Sequence, residues 1–132
     1  MARFSIIIPY SGNAQRLEDT LVSVLENRPD GCEIIVVLNE VYDDPYGLKD
    51  EISFVYAPIG TDLVRCVHLG IDASTGPVVH VLWPGVEVCA GWAEPALARF
   101  ADPRVAAVAP LVLDRDDPDR VVAAGVDYRA SG

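Results

Sequence analysis

Arginine, aromatic, amide and carboxylate side chains are the groups in this 132-residue chain that could do chemistry. Arg65 follows a strand-like run at the head of a helix-like one, where its planar fork suits phosphate oxygens; a surface arginine in an acidic protein is the alternative. Tyr10 ends an apolar run and offers its ring either to a flat ligand or to the core as a cap. Asn39 ends another, with an amide that both donates and accepts hydrogen bonds. In Leu82-Trp83-Pro84-Gly85-Val86-Glu87-Val88 the one carboxylate within reach of a metal is Glu87, and a solvated glutamate is its plainer reading. His68 falls on a helical run and His80 inside an apolar strand, so each reads as a structural histidine before a ligand. Asp114, Asp116, Asp117 and Asp119 surround Pro118 in a turn-like run and read as a surface loop. Cys32, Cys66 and Cys89 are odd in number, widely spaced and set in apolar runs, which suggests neither a zinc pattern nor a disulfide framework.

The elements that must position these groups follow from hydrophobic periodicity. Phe4 to Ile8 is a β-branched apolar run suited to a strand buried on both faces, and Pro9 ends it. Asn13 offers a helix cap, after which Leu17, Leu21, Val24 and Leu25 recur at helical spacing until Pro29-Asp30-Gly31. Cys32 to Leu38 is a second buried strand, and Asn39 to Gly47 a polar loop. A third strand spans Ile52 to Ala57, and a helix Thr61 to Ser74, ended by Gly76-Pro77. Val78 to Leu82 is a fourth strand, Gly91 to Ala101 a helix, Val105 to Leu113 a further strand and Val121 to Ala123 a short last one. Strands alternating with helices predict right-handed crossovers. The expected α/β architecture is a three-layer α/β/α sandwich around a mostly parallel, Rossmann-like sheet, in a single domain over residues 1–132. In such sheets ligands bind beyond the carboxyl ends of the strands, which draws together Pro9 to Asn13, Asn39 to Asp44 and Trp83 to Glu87.

Composition narrows the partners. A formal charge of −10, with Lys49 the single lysine, disfavours nucleic acid and anionic membranes, which both need a basic footprint. A phosphorylated ligand would also meet a repulsive average field, so local arginines or a metal ion would have to offset it. The apolar run from Phe4 to Pro9 is too short for a signal sequence or a membrane span, and a soluble, cytoplasmic domain is expected. The hydrophobic content of 51% is ample for one core.

In order and spacing, Ser5-Ile6-Ile7-Ile8-Pro9-Tyr10, the helix after it, and Glu33-Ile34-Ile35-Val36-Val37 resemble the opening of family-2 glycosyltransferases of the GT-A fold. Gly70-Ile71-Asp72-Ala73-Ser74-Thr75-Gly76 is similar to their G-I-x-x-A-x-G segment, and Val86 to Trp92 to the stretch after their metal motif. Asp102-Pro103-Arg104-Val105 through Leu111 resembles a later segment, and Gly125-Val126-Asp127-Tyr128 the next one in rhamnosyltransferase-like members. The similarity covers nearly the whole chain. A receiver domain would need acidic residues after the first strand, and a dinucleotide-binding unit a G-x-G-x-x-G there; Tyr10-Ser11-Gly12 supplies neither.

The resemblance implies a nucleotide-diphospho-sugar ligand and a magnesium or manganese ion on its diphosphate. It assigns Pro9, Tyr10, Asn39, Arg65, Trp83 and Gly85 to the nucleotide-sugar site. Two family motifs are degenerate: Leu38-Asn39-Glu40-Val41 stands where the family has D-D-G-S, and Trp83-Pro84-Gly85 where it has D-x-D. Indole and glycine supply no hard oxygen ligand, so the metal ligands are read as lost, with Glu87 a weak substitute if its strand continues. The Trp83 ring is expected to fill the vacated position, buried among Pro9, Asn39 and Leu82. No catalytic residue is assigned, because the family's general base lies downstream in an acceptor-binding half and Gly132 falls before it; a truncated unit is expected. The functional expectation is a nucleotide-sugar-binding domain impaired in transfer when alone. The alternative is a non-enzymatic interaction or regulatory module, with a protein partner or a second copy.

Overall fold

The computed structural model of the chain describes residues 3–10 and 12–124. The segment Gly125-Val126-Asp127-Tyr128 lies outside them. The chain divides into two compact units, residues 1–91 and 92–132.

The first unit runs β1 (Phe4–Pro9), α1 (Ala14–Glu26), β2 (Cys32–Leu38), a short 3-10 turn (Leu48–Asp50), β3 (Ser53–Tyr56), α2 (Leu63–Ala73) and β4 (Val79–Val81). Its four strands form one sheet in the order β3-β2-β1-β4, every neighbouring pair parallel. β1 and β2 are central, paired from Phe4 with Cys32 to Pro9 with Val37. Both faces of this central pair are buried: Ile7, Ile35 and Val37 on one side, and Ile6, Ile8, Ile34 and Val36 on the alternate positions. Such continuous apolar runs cannot leave either face to water, which is why two helix layers are needed. β1 to β2 steps toward one edge and β3 to β4 toward the other, so right-handed crossovers put α1 and α2 on opposite faces. The α/β fold is thus the three-layer parallel arrangement expected.

Close helix packing explains the two glycines flanking Ile71 to Thr75. A Cβ at Gly70 would come within 2.5 Å of Ile7 Cγ2 and 3.1 Å of Val37 Cγ2, so α2 settles onto the sheet only because that carbon is absent. At Gly76 a Cβ would meet the Phe4 backbone at 2.6 Å. Here, at the amino-terminal end of the sheet, Glu33 ties three segments together. Its Oε1 accepts from Ser5 Oγ, Thr75 N and Thr75 Oγ1, while the Gly76 N–H donates to Ser5 Oγ at 2.9 Å. Burial opposes ionisation of Glu33, but the hydrogen bonds from Ser5, Thr75 and Gly76 outweigh it and lower its pKa.

The second unit holds α3 (Glu94–Arg99) and an antiparallel ribbon of β5 (Leu111–Leu113) and β6 (Val121–Ala124). Two sequence-based expectations are shortened. The helix over Gly91 to Ala101 is only two turns long and has no side-chain cap. The strand expected over Val105 to Leu113 is ordered as strand only from Leu111, because its first half is alanine-rich, with little to pack across a ladder, and Pro110 lacks an N–H. The acidic run is a hairpin loop: Asp114 Oδ1 accepts from the N–H groups of Asp116 and Asp117, and Asp114 N donates to Arg120 O at 2.9 Å. No helix among the described residues is long and apolar enough to cross a membrane.

Candidate functional site

The parallel sheet brings the carboxyl ends of β1, β2 and β4 to one edge. Tyr10 N donates to Val37 O at 2.8 Å and Leu82 N to Ile7 O at 2.9 Å, which sets Tyr10, Asn39 and Trp83 at the ends of adjacent strands. Pro9 and Tyr10 themselves are buried, Tyr10 to 4% exposure. Its ring lies 5.9 Å from that of Tyr42, which lies 6.2 Å from Phe54, so an aromatic row runs from the end of β1 through the loop after β2 to β3. Two carboxylates border it. Burial, then the charge of Glu40 and a hydrogen bond to it, raise the pKa of Tyr10. Tyr42 Oη donates to Glu18 Oε1 at 3.2 Å, and burial together with Glu18 raises the pKa of Tyr42 further. Tyr10 thus covers the core at the strand end.

Asn39 is half-buried, and its Nδ2 donates to Thr61 O at 2.8 Å. That bond fixes Oδ1 as the end of the amide left to accept. It also joins β2 to the start of α2, where Asp62 caps the helix by accepting from Arg65 N at 2.9 Å. Arg65 is exposed, with Nε 3.7 Å from Asp62 Oδ2, so its charge is shared with a carboxylate. His68 on α2 is exposed, and His80 on β4 is half-buried, with its pKa lowered by desolvation.

The Trp83–Gly85 stretch departs from expectation in two respects. β4 ends at Val81, and Trp83-Pro84-Gly85-Val86 is a tight turn closed by Val86 N donating to Trp83 O at 3.1 Å. Pro84 at its second position and Gly85 at its third, with φ +97°, are the residues a type II turn requires. Glu87 therefore does not extend a strand on the side of Gly85; it is exposed beyond the turn. The Trp83 indole does not fill a vacated position either, since it is 47% exposed. A strand that ends before the tryptophan leaves the ring outside the core.

The turn is instead held by α1. Gly85 N donates to Thr20 Oγ1 at 2.8 Å and to Arg16 O at 3.2 Å, and Thr20 Oγ1 in turn donates to Val86 O at 2.8 Å. Further on, Val88 N donates to Ser23 Oγ at 3.1 Å and Asn27 Nδ2 to Val88 O at 3.3 Å. Thr20, Ser23 and Asn27 thus form a polar stripe that binds an otherwise unpaired backbone segment. Sequence reasoning missed it, along with Glu18, Glu40 and Tyr42. Its signal was present: three small polar residues at positions i, i+3 and i+7 beside the apolar stripe of an amphipathic helix.

The side chains of the Trp83–Gly85 turn supply no ligand for a divalent ion. Among the described residues no three His, Cys, Asp or Glu side chains gather to hold a metal. At the D-x-D register an indole, a proline and a glycine offer no oxygen ligand.

An open parallel sheet with helices on both faces and polar loops at the carboxyl ends of β1, β2 and β4 is the arrangement expected of the GT-A fold. Comparison with known proteins agrees: the chain has the GT-A fold and is similar to transferases that carry it. Staphylococcus aureus TarS, residues 1–349, superposes with a TM-score of 0.61 at 15% identity, over 76% of this chain and 32% of that one. The mannosyltransferase PcManGT from Pyrobaculum calidifontis, in complex with GDP-Man and Mn2+, superposes with a TM-score of 0.63 at 20% identity, over 78% of this chain and 33% of that one. By sequence the chain is 30% identical to polypeptide N-acetylgalactosaminyltransferase 12 of Mus musculus over 123 residues, 85% of this chain and 21% of the relative. The chain thus spans about a fifth of that relative and about a third of the two solved structures. No family profile matches it.

Proposed function

We propose that this chain is a nucleotide-sugar-binding domain of the family-2-like GT-A type whose metal-assisted transfer is impaired. The observation that carries this reading is the turn at Trp83–Val86. A metal-dependent donor site needs hard oxygen ligands on the diphosphate, and the ion stabilises the charge that develops as sugar and diphosphate separate. Here Gly85, with φ +97°, cannot be exchanged for a ligating residue without strain. Binding determinants survive nearby: the free acceptor of Asn39 at the end of β2 and the Arg65 guanidinium at the head of α2. The similarity to a mannosyltransferase in complex with GDP-Man and Mn2+ supports a nucleotide-diphospho-sugar as the ligand class. Free thiols at Cys32, Cys66 and Cys89 support a reducing, cytoplasmic setting.

Titration with UDP-, GDP- and dTDP-sugars, with and without manganese, tests the reading. Saturable binding to at least one of them, with no gain on adding manganese and no nucleoside diphosphate released, is expected. Manganese-dependent release would overturn the claim of impairment.

A second reading, protein association or regulation, is favoured by the exposed Val41, Tyr46, Tyr56, Ile59 and Val64, which lie on β3 and on the loops and helix flanking it. It predicts no sugar-nucleotide binding at all.

A further inference from the structure

Resting on the nucleotide-sugar reading, we propose that Arg16 takes the place of the divalent ion, so that the ligand's diphosphate is bound by its guanidinium and needs no metal.

Three observations carry this. The first is position. Gly85 is the third residue of the D-x-D register, and a Cβ built on it would stand 3.4 Å from Arg16 Cδ, 3.6 Å from Cγ and 3.8 Å from Cβ. The Arg16 stem therefore lines, at van der Waals contact, the space into which a side chain at that register would project, and its guanidinium begins one bond further on. The backbone fixes this juxtaposition, because Gly85 N donates both to Arg16 O and to Thr20 Oγ1.

The second is availability. Arg16 is exposed and has no carboxylate partner among the described residues, a state it shares with Arg99 on α3, whereas Arg28, Arg65, Arg104 and Arg120 lie within 4.0 Å of Glu51, Asp62, Asp102 and Asp114 respectively; of the two, Arg16 is the one beside Gly85. In a chain with 20 acidic and 10 basic residues, an arginine without such a neighbour has no carboxylate to release before pairing with an external anion.

The third is chemistry. Guanidinium binds phosphate oxygens through two parallel N–H donors and, unlike manganese, requires no further oxygen ligands from the protein. It thus suits a site that has lost its carboxylates. The Glu40 carboxylate borders the adjacent strand end, 3.4 Å from where a Gly12 Cβ would stand, which makes a local cation necessary for any diphosphate there. Arg65, the phosphate contact read from the sequence, shares its charge with Asp62 and is the competing candidate.

Calorimetric titration of the full chain with inorganic pyrophosphate and with UDP-, GDP- and dTDP-sugars, each in EDTA and in manganese chloride, tests the proposal. A sugar nucleotide is expected to saturate with the same affinity in both buffers. Arg16→Gln should weaken that binding about tenfold or more, the net worth of a hydrogen bond to a charged group. Arg16→Lys should fall between the two, and Arg28→Gln should match the parent chain. The urea midpoint of each variant reports its folding, and the EDTA comparison stands on the parent chain alone. Binding that vanishes in EDTA, or that survives Arg16→Gln and is lost in Arg65→Gln, would overturn the role of Arg16 while leaving the nucleotide-sugar reading intact. No binding in either buffer would overturn both.

Discussion

At the residue scale, Gly85 decides what can be rebuilt. Its φ of +97° is costly for any residue with a Cβ, while the Cβ itself would make only an ordinary contact with the Arg16 stem at 3.4 Å. Gly85→Ala is expected to lower stability by about 1–3 kcal/mol, measured by urea unfolding. Introducing carboxylates by Trp83→Asp with Gly85→Asp should carry the same penalty and produce no manganese binding in titration, because the turn, more than the missing charge, fixes the backbone there. Gly70 obeys a different rule. Its φ is ordinary, but a Cβ would collide with Ile7 Cγ2 at 2.5 Å, so Gly70→Ala should destabilise through overpacking by about 1–3 kcal/mol in the same assay. Both glycines were visible in the sequence, but the conformation of one and the close approach of the other were not.

At the scale of elements, residues 85–88 pair with α1 instead of continuing β4. Thr20 is buried, and its Oγ1 both accepts from Gly85 N and donates to Val86 O. Thr20→Val preserves shape and removes both bonds, depriving Val86 O of this donor and leaving Gly85 N only its longer bond to Arg16 O at 3.2 Å. A loss of about 1–3 kcal/mol is expected, with faster amide exchange confined to residues 85–88 if the stripe has the role assigned to it. The central strands, by contrast, were legible almost to the residue. β1 and β2 are long apolar runs bounded by proline, glycine and asparagine, whose burial in a parallel sheet admits little else. Elements farther along the chain were less legible. Val105 to Pro110 has the hydrophobicity of a strand but side chains too small to define one, and it is irregular until Leu111.

At the scale of the whole molecule, two titrations act in the same direction. The folded-state pKa of Glu33 is lowered by its hydrogen bonds, so its contribution is present above the ordinary value of 4.5 and is lost as pH falls through the folded value. Burial lowers the folded-state pKa of His80, so the folded chain resists protonating it; that contribution is present above 6.5 and fades as pH falls from there toward the folded value. Urea midpoints measured from pH 4 to 8 should therefore rise with pH. Glu33→Gln is expected to flatten the acidic end of that profile and His80→Leu the part just below 6.5.

The sequence by itself determined the order of strands and helices, the parallel sheet and the absence of carboxylates at Trp83 and Gly85. These follow from residue type and period, which act locally. Only the tertiary structure decided that Trp83 is exposed, that Glu87 lies beyond a turn and that Arg16 lies against Gly85. Each depends on where β4 stops relative to α1, residues some 65 positions apart in the chain, and the backbone bonds from Gly85 to Arg16 and Thr20 form only after the sheet has brought those segments together.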